Sequence, residues 1–202
     1  MRDAYDHIAR QWHTYSRSFR HQKYVDMILE GLQPGARILD LGCGTGSPVA
    51  LYLISQGFRV LGVDRSMKML EVARRAVPEA ELIRGDMLEL ELGCQFAAAI
   101  AWDSIFHVER LHHRTIFRKL HQWLEPGGRL LLSIGGSGGE EFTSEMFGHT
   151  FFYSGYEPDV TLALLMAEGF RIDLWEVDDP SSRGHIAVIA SKEAHIRAAE
   201  RC

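Results

Sequence analysis

No apolar run in this chain approaches the ~20 residues needed to cross a bilayer, and its first residues, Met1-Arg2-Asp3-Ala4-Tyr5-Asp6, contain no apolar core of a secretory leader. Neither a membrane span nor a signal peptide is expected. Cysteine is scarce: Cys43, Cys94 and Cys202 are an odd number at unrelated spacings and form no zinc pattern, which suits a reducing, cytoplasmic location. Positive charge is also short. With 22 Lys and Arg against 27 Asp and Glu, the formal net charge of −5 argues against a general nucleic-acid binder, which would carry a basic face. His112, His113 and His121 share one polar helix, but no carboxylate completes a ligand set, so no metal is expected. Internal repeats are absent, and the sole low-complexity stretch is a glycine cluster at 135–139.

What is present is an ordinary globular composition, 46% apolar and 24% charged over 202 residues, enough for one domain with a full core. The chain centres on Arg37-Ile38-Leu39-Asp40-Leu41-Gly42-Cys43-Gly44-Thr45-Gly46-Ser47-Pro48, which reads as a buried strand, a glycine-rich turn and a helix opened by proline. Glycines at alternate positions permit positive φ and close approach of a ligand to the backbone. The start of the helix adds free N–H groups and the positive end of its dipole. Cys43 within this turn reads as a small filler, since nothing around it supplies the electropositive setting of a reactive thiolate.

Residues 3–30 carry apolar side chains at helical spacing (Tyr5, Ile8, Ala9, Trp12, then Tyr24, Val25, Ile28, Leu29) with a polar break at 16–20. They predict an N-terminal helical cover over 1–34, ahead of an α/β core at 35–192 and a tail at 193–202. In the core, strands at 38–41, 58–63, 81–83, 96–102 and 129–134 alternate with helices at 49–55, 66–76 and 109–123. A helix at 158–168 and strands at 170–177 and 186–190 follow, the last two close enough to form an antiparallel pair. The alternation predicts right-handed crossovers and a doubly wound parallel α/β sheet with helices on both faces. The stretch 135–156 is expected to be irregular and to act as a substrate loop beyond the fifth strand.

Three ligands compete for the glycine turn. A dinucleotide fingerprint needs G-x-G-x-x-G/A, but Ser47 falls where the third small residue should stand, and no Gly-Lys-Ser/Thr follows for a phosphate loop. The neighbours decide. Asp64 ends the second strand, 18 residues after Gly46, where a carboxylate can accept from ribose hydroxyls. Gly85-Asp86-Met87 ends the third, offering a carboxylate for an exocyclic amine and a backbone N–H for a ring nitrogen. Together with Trp102-Asp103 after the fourth strand and Leu124-Glu125-Pro126-Gly127-Gly128 before the fifth, this order resembles the class I S-adenosylmethionine-dependent methyltransferases, over roughly residues 5–191. More narrowly, the Trp102-Asp103-Ser104-Ile105-Phe106-His107 segment and Gly184-His185 are similar to bacterial small-molecule members of unassigned substrate. An Asn-Pro-Pro-Tyr-type segment, seen in amino methyltransferases acting on nucleic acids and proteins, is absent.

The resemblance implies a Rossmann-like, seven-stranded sheet with its last strand antiparallel, and S-adenosyl-L-methionine as cofactor. It implies that Gly42, Gly44 and Gly46, led by Asp40, bracket the methionine moiety, that Asp64 binds the ribose, and that Arg65 and Met69 flank the adenine. Asp86 and Met87 would meet the adenine edge, the backbone near Trp102 the methionine amine, and Tyr5, Trp12 and Arg20 would belong to the cover. Met69 as plain core and Trp102 as sheet packing remain the alternative readings. Methyl transfer from a sulfonium relies on positioning, with a general base needed only for a protonated nucleophile. His107 is the first candidate base, and Asp103 is placed either on the cofactor or on a cationic amine. Phe106, Glu140, Tyr153 and His185 are expected to line the acceptor pocket. The expected partner is a small-molecule acceptor, with no nucleic acid and no membrane, on a monomer or homodimer. Two rival functions stay open: a cofactor-binding regulatory module without turnover, and a nicotinamide oxidoreductase.

Overall fold

A computed structural model of the chain describes residues 4–16, 18–135, 141–179 and 184–193. Helices α1 (Ala4–Tyr15) and α2 (Gln22–Leu29) precede the core. The core then runs β1 (Arg37–Leu41), α3 (Val49–Ser55), β2 (Arg59–Asp64), α4 (Met67–Ala76), β3 (Glu81–Arg84) and β4 (Phe96–Ala101). After two short 3-10 turns come α5 (His113–Trp123), β5 (Leu124–Ile134), a hairpin of β6 (Glu141–Met146) and β7 (His149–Ser154), α6 (Pro158–Ala167), β8 (Phe170–Asp179) and β9 (His185–Lys192).

Seven strands form one sheet in the order β3-β2-β1-β4-β5-β9-β8. The five strands from β3 to β5 are parallel, and β9, the last in the chain, lies antiparallel between β5 and β8. Because side chains alternate across a strand, each central strand feeds two cores. Leu39, Leu41, Leu61, Val63, Leu130, Leu132 and Val188 pack with Ile116, Phe117 and Leu120 of α5 and Leu165 of α6. Ile38, Val60, Ile100, Leu131 and Ile189 face the other way, onto Tyr24, Val25 and Ile28 of α2 and Val49, Ala50 and Leu53 of α3. The near-continuous apolar sequence of β4 is thus explained, since all six of its residues are buried.

The structure differs from the sequence-based expectation in three places. The stretch expected to be irregular up to 156 contains the β6–β7 hairpin, closed by a two-residue turn in which Phe147 (φ 53°) and Gly148 (φ 75°) both take positive φ. Positive φ at both turn residues matches the right-handed twist of the paired strands. The signal was weak because Phe-Gly replaces the usual Asn-Gly, and because β6 is almost wholly exposed. Second, β5 starts at Leu124 rather than 129, because Leu124 already pairs with Phe96, and Glu125-Pro126-Gly127-Gly128, with Gly127 at φ 80°, is absorbed by a register shift opposite β4. Third, a 3-10 turn at Arg110–His112 replaces the first turn of the helix expected from 109.

The N-terminal cover docks on α4 and on the hairpin. Ile8 and Ala9 of α1 share a small buried cluster with Met69 of α4 and Phe151 of β7. The Asp6 carboxylate accepts from the Ser66 hydroxyl (2.5 Å) and from the Lys68 N–H (3.0 Å), so α1 helps to cap α4. No helix among the described residues is long and apolar enough to cross a membrane.

Candidate functional site

The C-terminal ends of the parallel strands open into a cavity of about 830 Å³, roofed by α1 and the hairpin. Its floor is the glycine turn. Gly42 (φ 85°) lies so close to the segment after β4 that a Cβ there would stand 2.3 Å from the Ser104 Cβ, and the Ser104 hydroxyl donates to the Leu41 carbonyl (2.9 Å). Gly44 passes beneath Trp12, whose Nε1 is 3.6 Å from the position of a Cβ, and its N–H donates to Asp64 Oδ2 (2.8 Å). Gly46 is different. It is not on the cavity wall; a Cβ there would meet Val77 Cγ2 at 2.5 Å, so its role is to let the turn pack on the end of α4. Of the three glycines expected to bracket a ligand, Gly42 and Gly44 lie on the cavity wall and Gly46 does not. Cys43 is buried, and burial pushes its thiol well above the ordinary range, as expected of a filler.

At one end, Asp64, Arg65, Met69, Asp86 and Met87 lie on the wall. Asp64 also accepts the Ser66 N–H (2.8 Å). Burial raises its pKa and outweighs these hydrogen bonds. Asp86 Oδ1 accepts the Leu88 N–H (3.0 Å), which holds the carboxylate at the strand end. Asp40, only 4% exposed, has its pKa raised to about 7 by burial and then by the charge of Asp64.

The other end gathers the residues after β4. Asp103 takes a left-handed backbone (φ 49°), unusual outside glycine, and is held there by its N–H donating to the Ser133 hydroxyl (2.8 Å). His107 Nδ1 donates to the Phe152 carbonyl (2.8 Å), a group that only accepts; Nε2 therefore carries the lone pair and receives the Tyr5 O–H at 2.6 Å. Burial lowers the His107 pKa and raises that of Tyr5 well above its ordinary value, so the pair is a neutral phenol on a neutral imidazole. Phe106 and Tyr153 stack beside it at 5.7 Å. His185 reaches in from the start of β9. Its Nε2 is 2.8 Å from Asp103 Oδ1, and its Nδ1 is 3.2 Å from Asp178 Oδ2, without hydrogen-bond alignment. Burial opposes a charge on His185, but the two carboxylates outweigh it and the pKa rises.

Of the candidates named from the sequence, Tyr5, Trp12, Arg20, Asp40, Gly42, Gly44, Asp64, Arg65, Met69, Asp86, Met87, Trp102, Asp103, Phe106, His107, Tyr153 and His185 all meet in this one cavity. Gly46 does not, and Glu140 lies outside the described residues. Arg20 is on the rim, paired with Asp179 at 3.3 Å. Sequence reasoning missed His21, Ser104 and the Asp178-Asp179 pair. His21 stacks on Trp102 with ring centres 4.4 Å apart, and only the docking of α2 beside β4 brings them together. Asp178-Asp179 passed as turn residues. Among the described residues three buried polar atoms lack a hydrogen-bond partner, His21 Nε2, Asp40 Oδ2 and His185 Nδ1, and all three residues line this cavity. Such atoms are rare in folded proteins.

A glycine turn after β1, carboxylates ending β2 and β3, and a second chamber after β4 in a sheet of this order give the chain the fold of solved S-adenosylmethionine-dependent methyltransferases. Residues 38–128 match the methyltransferase domain family. Among curated relatives, malonyl-(acyl-carrier protein) O-methyltransferase of Priestia megaterium is 28% identical over 157 residues, 74% of this chain and 56% of that protein. Trans-aconitate 2-methyltransferase of an Azoarcus species is 35% identical over 108 residues, 51% of this chain and 40% of that protein. The chain spans about half the length of the curated relatives it matches. Among solved structures, 1,6-didemethyltoxoflavin-N1-methyltransferase of Burkholderia thailandensis superposes with a TM-score of 0.74 at 20% identity, over 95% of this chain and 87% of that one, which shows a shared fold.

Proposed function

We propose that this chain transfers a methyl group from S-adenosylmethionine to an oxygen, nitrogen or sulfur atom of a small molecule. The observation that carries the reading is the continuity of one cavity from Asp64 and Asp86, past Gly42, to the Tyr5–His107 pair. The residues fit the cofactor: Asp40 Oδ2 is buried without a partner on the cavity wall, and Gly42 and Gly44 line the same wall. Asp64 would receive the ribose hydroxyls, Arg65 and Met69 would flank the adenine, and Asp86 with the Met87 N–H would meet its edge. Asp40, Gly44 and the backbone at Trp102 would hold the amino-acid end, with Tyr5, Trp12 and Arg20 as cover. When bound, the cofactor supplies an electrophilic methyl group with a neutral thioether as leaving group.

The chain itself then has to orient the acceptor, exclude water and take a proton where the nucleophile carries one. His107 Nε2 is the proton acceptor, reached through Tyr5, whose hydroxyl can pass its own proton to the imidazole as it takes one from the acceptor. Asp103 holds His185 and lends its negative charge to the imidazolium that forms at His107. Phe106 and Tyr153 present flat apolar faces to the acceptor. The relatives include both an O-methyltransferase and an N-methyltransferase, so the fold alone does not select the atom. We place the reaction in the cytoplasm, on a monomer or homodimer and without a nucleic-acid acceptor, supported by the free thiols of Cys43 and Cys94 and by the acidic net charge. Isothermal titration with S-adenosylmethionine tests the reading, with micromolar binding expected and no binding at millimolar concentration overturning it. Binding without any methylated product from a broad acceptor panel would instead identify a regulatory module.

A further inference from the structure

We propose that the methyl acceptor carries a basic nitrogen, cationic on entry, and that the corner formed by Asp103, Asp178, His21 and His185 receives it. The inference rests on the methyl-transfer reading above and adds the charge class of the substrate.

The corner exists because β9 folds back between β5 and β8. That antiparallel insertion sets His185, at the start of β9, between the carboxylate that follows β4 and those that end β8. Three carboxylates, Asp103, Asp178 and Asp179, stand on this side of the cavity. Among the described residues, Arg20 pairs with Asp179 and is 75% exposed, and the imidazole of His185 is shared by Asp103 and Asp178. The other arginine of the wall, Arg65, follows β2 on the nucleoside side, and no described lysine lines the cavity. Among the described residues, Asp103 and Asp178 set two carboxylates against the one charge that His185 can take. An anionic acceptor would meet like charge from these two carboxylates.

His21 supplies the independent observation. It is 8% exposed, its Nε2 has no hydrogen-bond partner, and it lies on the cavity wall against Trp102. Burial holds it neutral, with a pKa lowered to about 4, so it adds no positive charge to the corner. A protonated amine offers several N–H groups on one centre, which a carboxylate and a neutral imidazole nitrogen can accept together.

The cation has to shed one proton before its lone pair can attack. One N–H proton passes to Tyr5 Oη while the Tyr5 O–H proton moves to His107 Nε2, leaving a free amine and an imidazolium. The nitrogen pair then forms the N–C bond as the methyl–sulfur bond breaks, and that bond's electron pair stays on sulfur as the thioether. The charge of Asp103 reaches both Tyr5 and His107, raising the proton affinity of each, so the carboxylate that binds the cation also favours the proton's departure to His107.

The test is titration of phenethylamine, 2-phenylethanol and 3-phenylpropionate into the purified chain at neutral pH, with and without saturating S-adenosylhomocysteine. The aromatic body is chosen for the Trp102, Phe106 and Tyr153 walls. Phenethylamine is expected to bind at least ~10-fold more tightly than the other two, and Asp178→Asn to remove that preference while S-adenosylhomocysteine still binds. A parallel incubation with deuterated-methyl cofactor and a mixed pool of amines, carboxylates and phenols is expected to label amines. Equal or tighter binding of the carboxylate or the alcohol, no binding of any of the three, or label only in carboxylates or phenols overturns the proposal. Failure of S-adenosylhomocysteine to bind overturns the methyl-transfer reading instead.

Discussion

Two residues near the ends of the cavity carry most of the chemistry that a single substitution can expose. Asp64 accepts N–H groups from Gly44 and Ser66 and keeps lone pairs for a ribose. Asp64→Asn keeps the shape but replaces one acceptor by a donor, so cofactor affinity should fall by ~1–3 kcal/mol, measured by calorimetry, with the fold retained on circular dichroism. An unchanged affinity would remove Asp64 from the ribose site. His107 and Tyr5 act as one unit through their 2.6 Å bond. His107→Ala and Tyr5→Phe should each lower turnover ~10²–10⁴-fold on an acceptor that must lose a proton, and the double variant should be scarcely worse than either alone. Multiplicative effects of the two would separate them. Part of this was legible in the sequence: Asp64 follows from the end of an alternating strand at a set distance from the glycines. The partnership of His107 with Tyr5, 102 residues apart, was not, because nothing local to either residue specifies the other.

At the level of elements, α1 is a cover fastened mainly by side-chain hydrogen bonds and ring contacts. Asp6 joins it to the first turn of α4, and only Ile8 and Ala9 are buried along its length. Asp6→Ala should loosen the cover without unfolding the sheet. We expect a fall in melting temperature of a few degrees and faster amide exchange at Met69 in the cofactor-free chain, with the difference reduced once S-adenosylhomocysteine is bound. Equal exchange in both proteins would show that Asp6 does not fasten α1. The hairpin illustrates what periodicity misses. Its outward residues carry no apolar alternation, yet Phe151 enters the cluster beneath α1 and the Phe152 carbonyl sets the tautomer of His107. A strand whose only buried face is turned toward another appendage leaves little trace in its own sequence.

Across the whole molecule, buried titratable groups around the cavity shape stability as pH changes. Asp40, with a pKa raised to about 7, binds a proton in the folded chain over a window, from about 4 to about 7, in which the unfolded chain has lost it; its burial therefore lowers stability as pH rises through that window. His21, lowered to about 4, acts the other way: the unfolded chain binds a proton below about 6.5 and stability is lost as pH falls toward 4. His107 and His113, also lowered by burial, add to the second trend. Asp40→Asn removes the first trend alone. Its stability should match that of the unmodified chain near pH 4 and exceed it above pH 7 by up to about 4 kcal/mol, at ~1.4 kcal/mol per pH unit, read as a higher melting temperature. A difference that does not change with pH would refute the assignment. The amino-acid sequence determined by itself the alternation of strands and helices, the glycine turn and the carboxylates that end β2 and β3, because each is written in local periodicity, backbone permissiveness and spacing along the chain. Only the tertiary structure decided that Gly46 packs on the end of α4 away from the cavity wall, that Tyr5 meets His107, and that His21, His185 and Asp178 converge beyond β4. Those outcomes depend on how β9 inserts into the sheet and how α1 and α2 dock, and docking is governed by the complementarity of distant surfaces, which no short window of sequence contains.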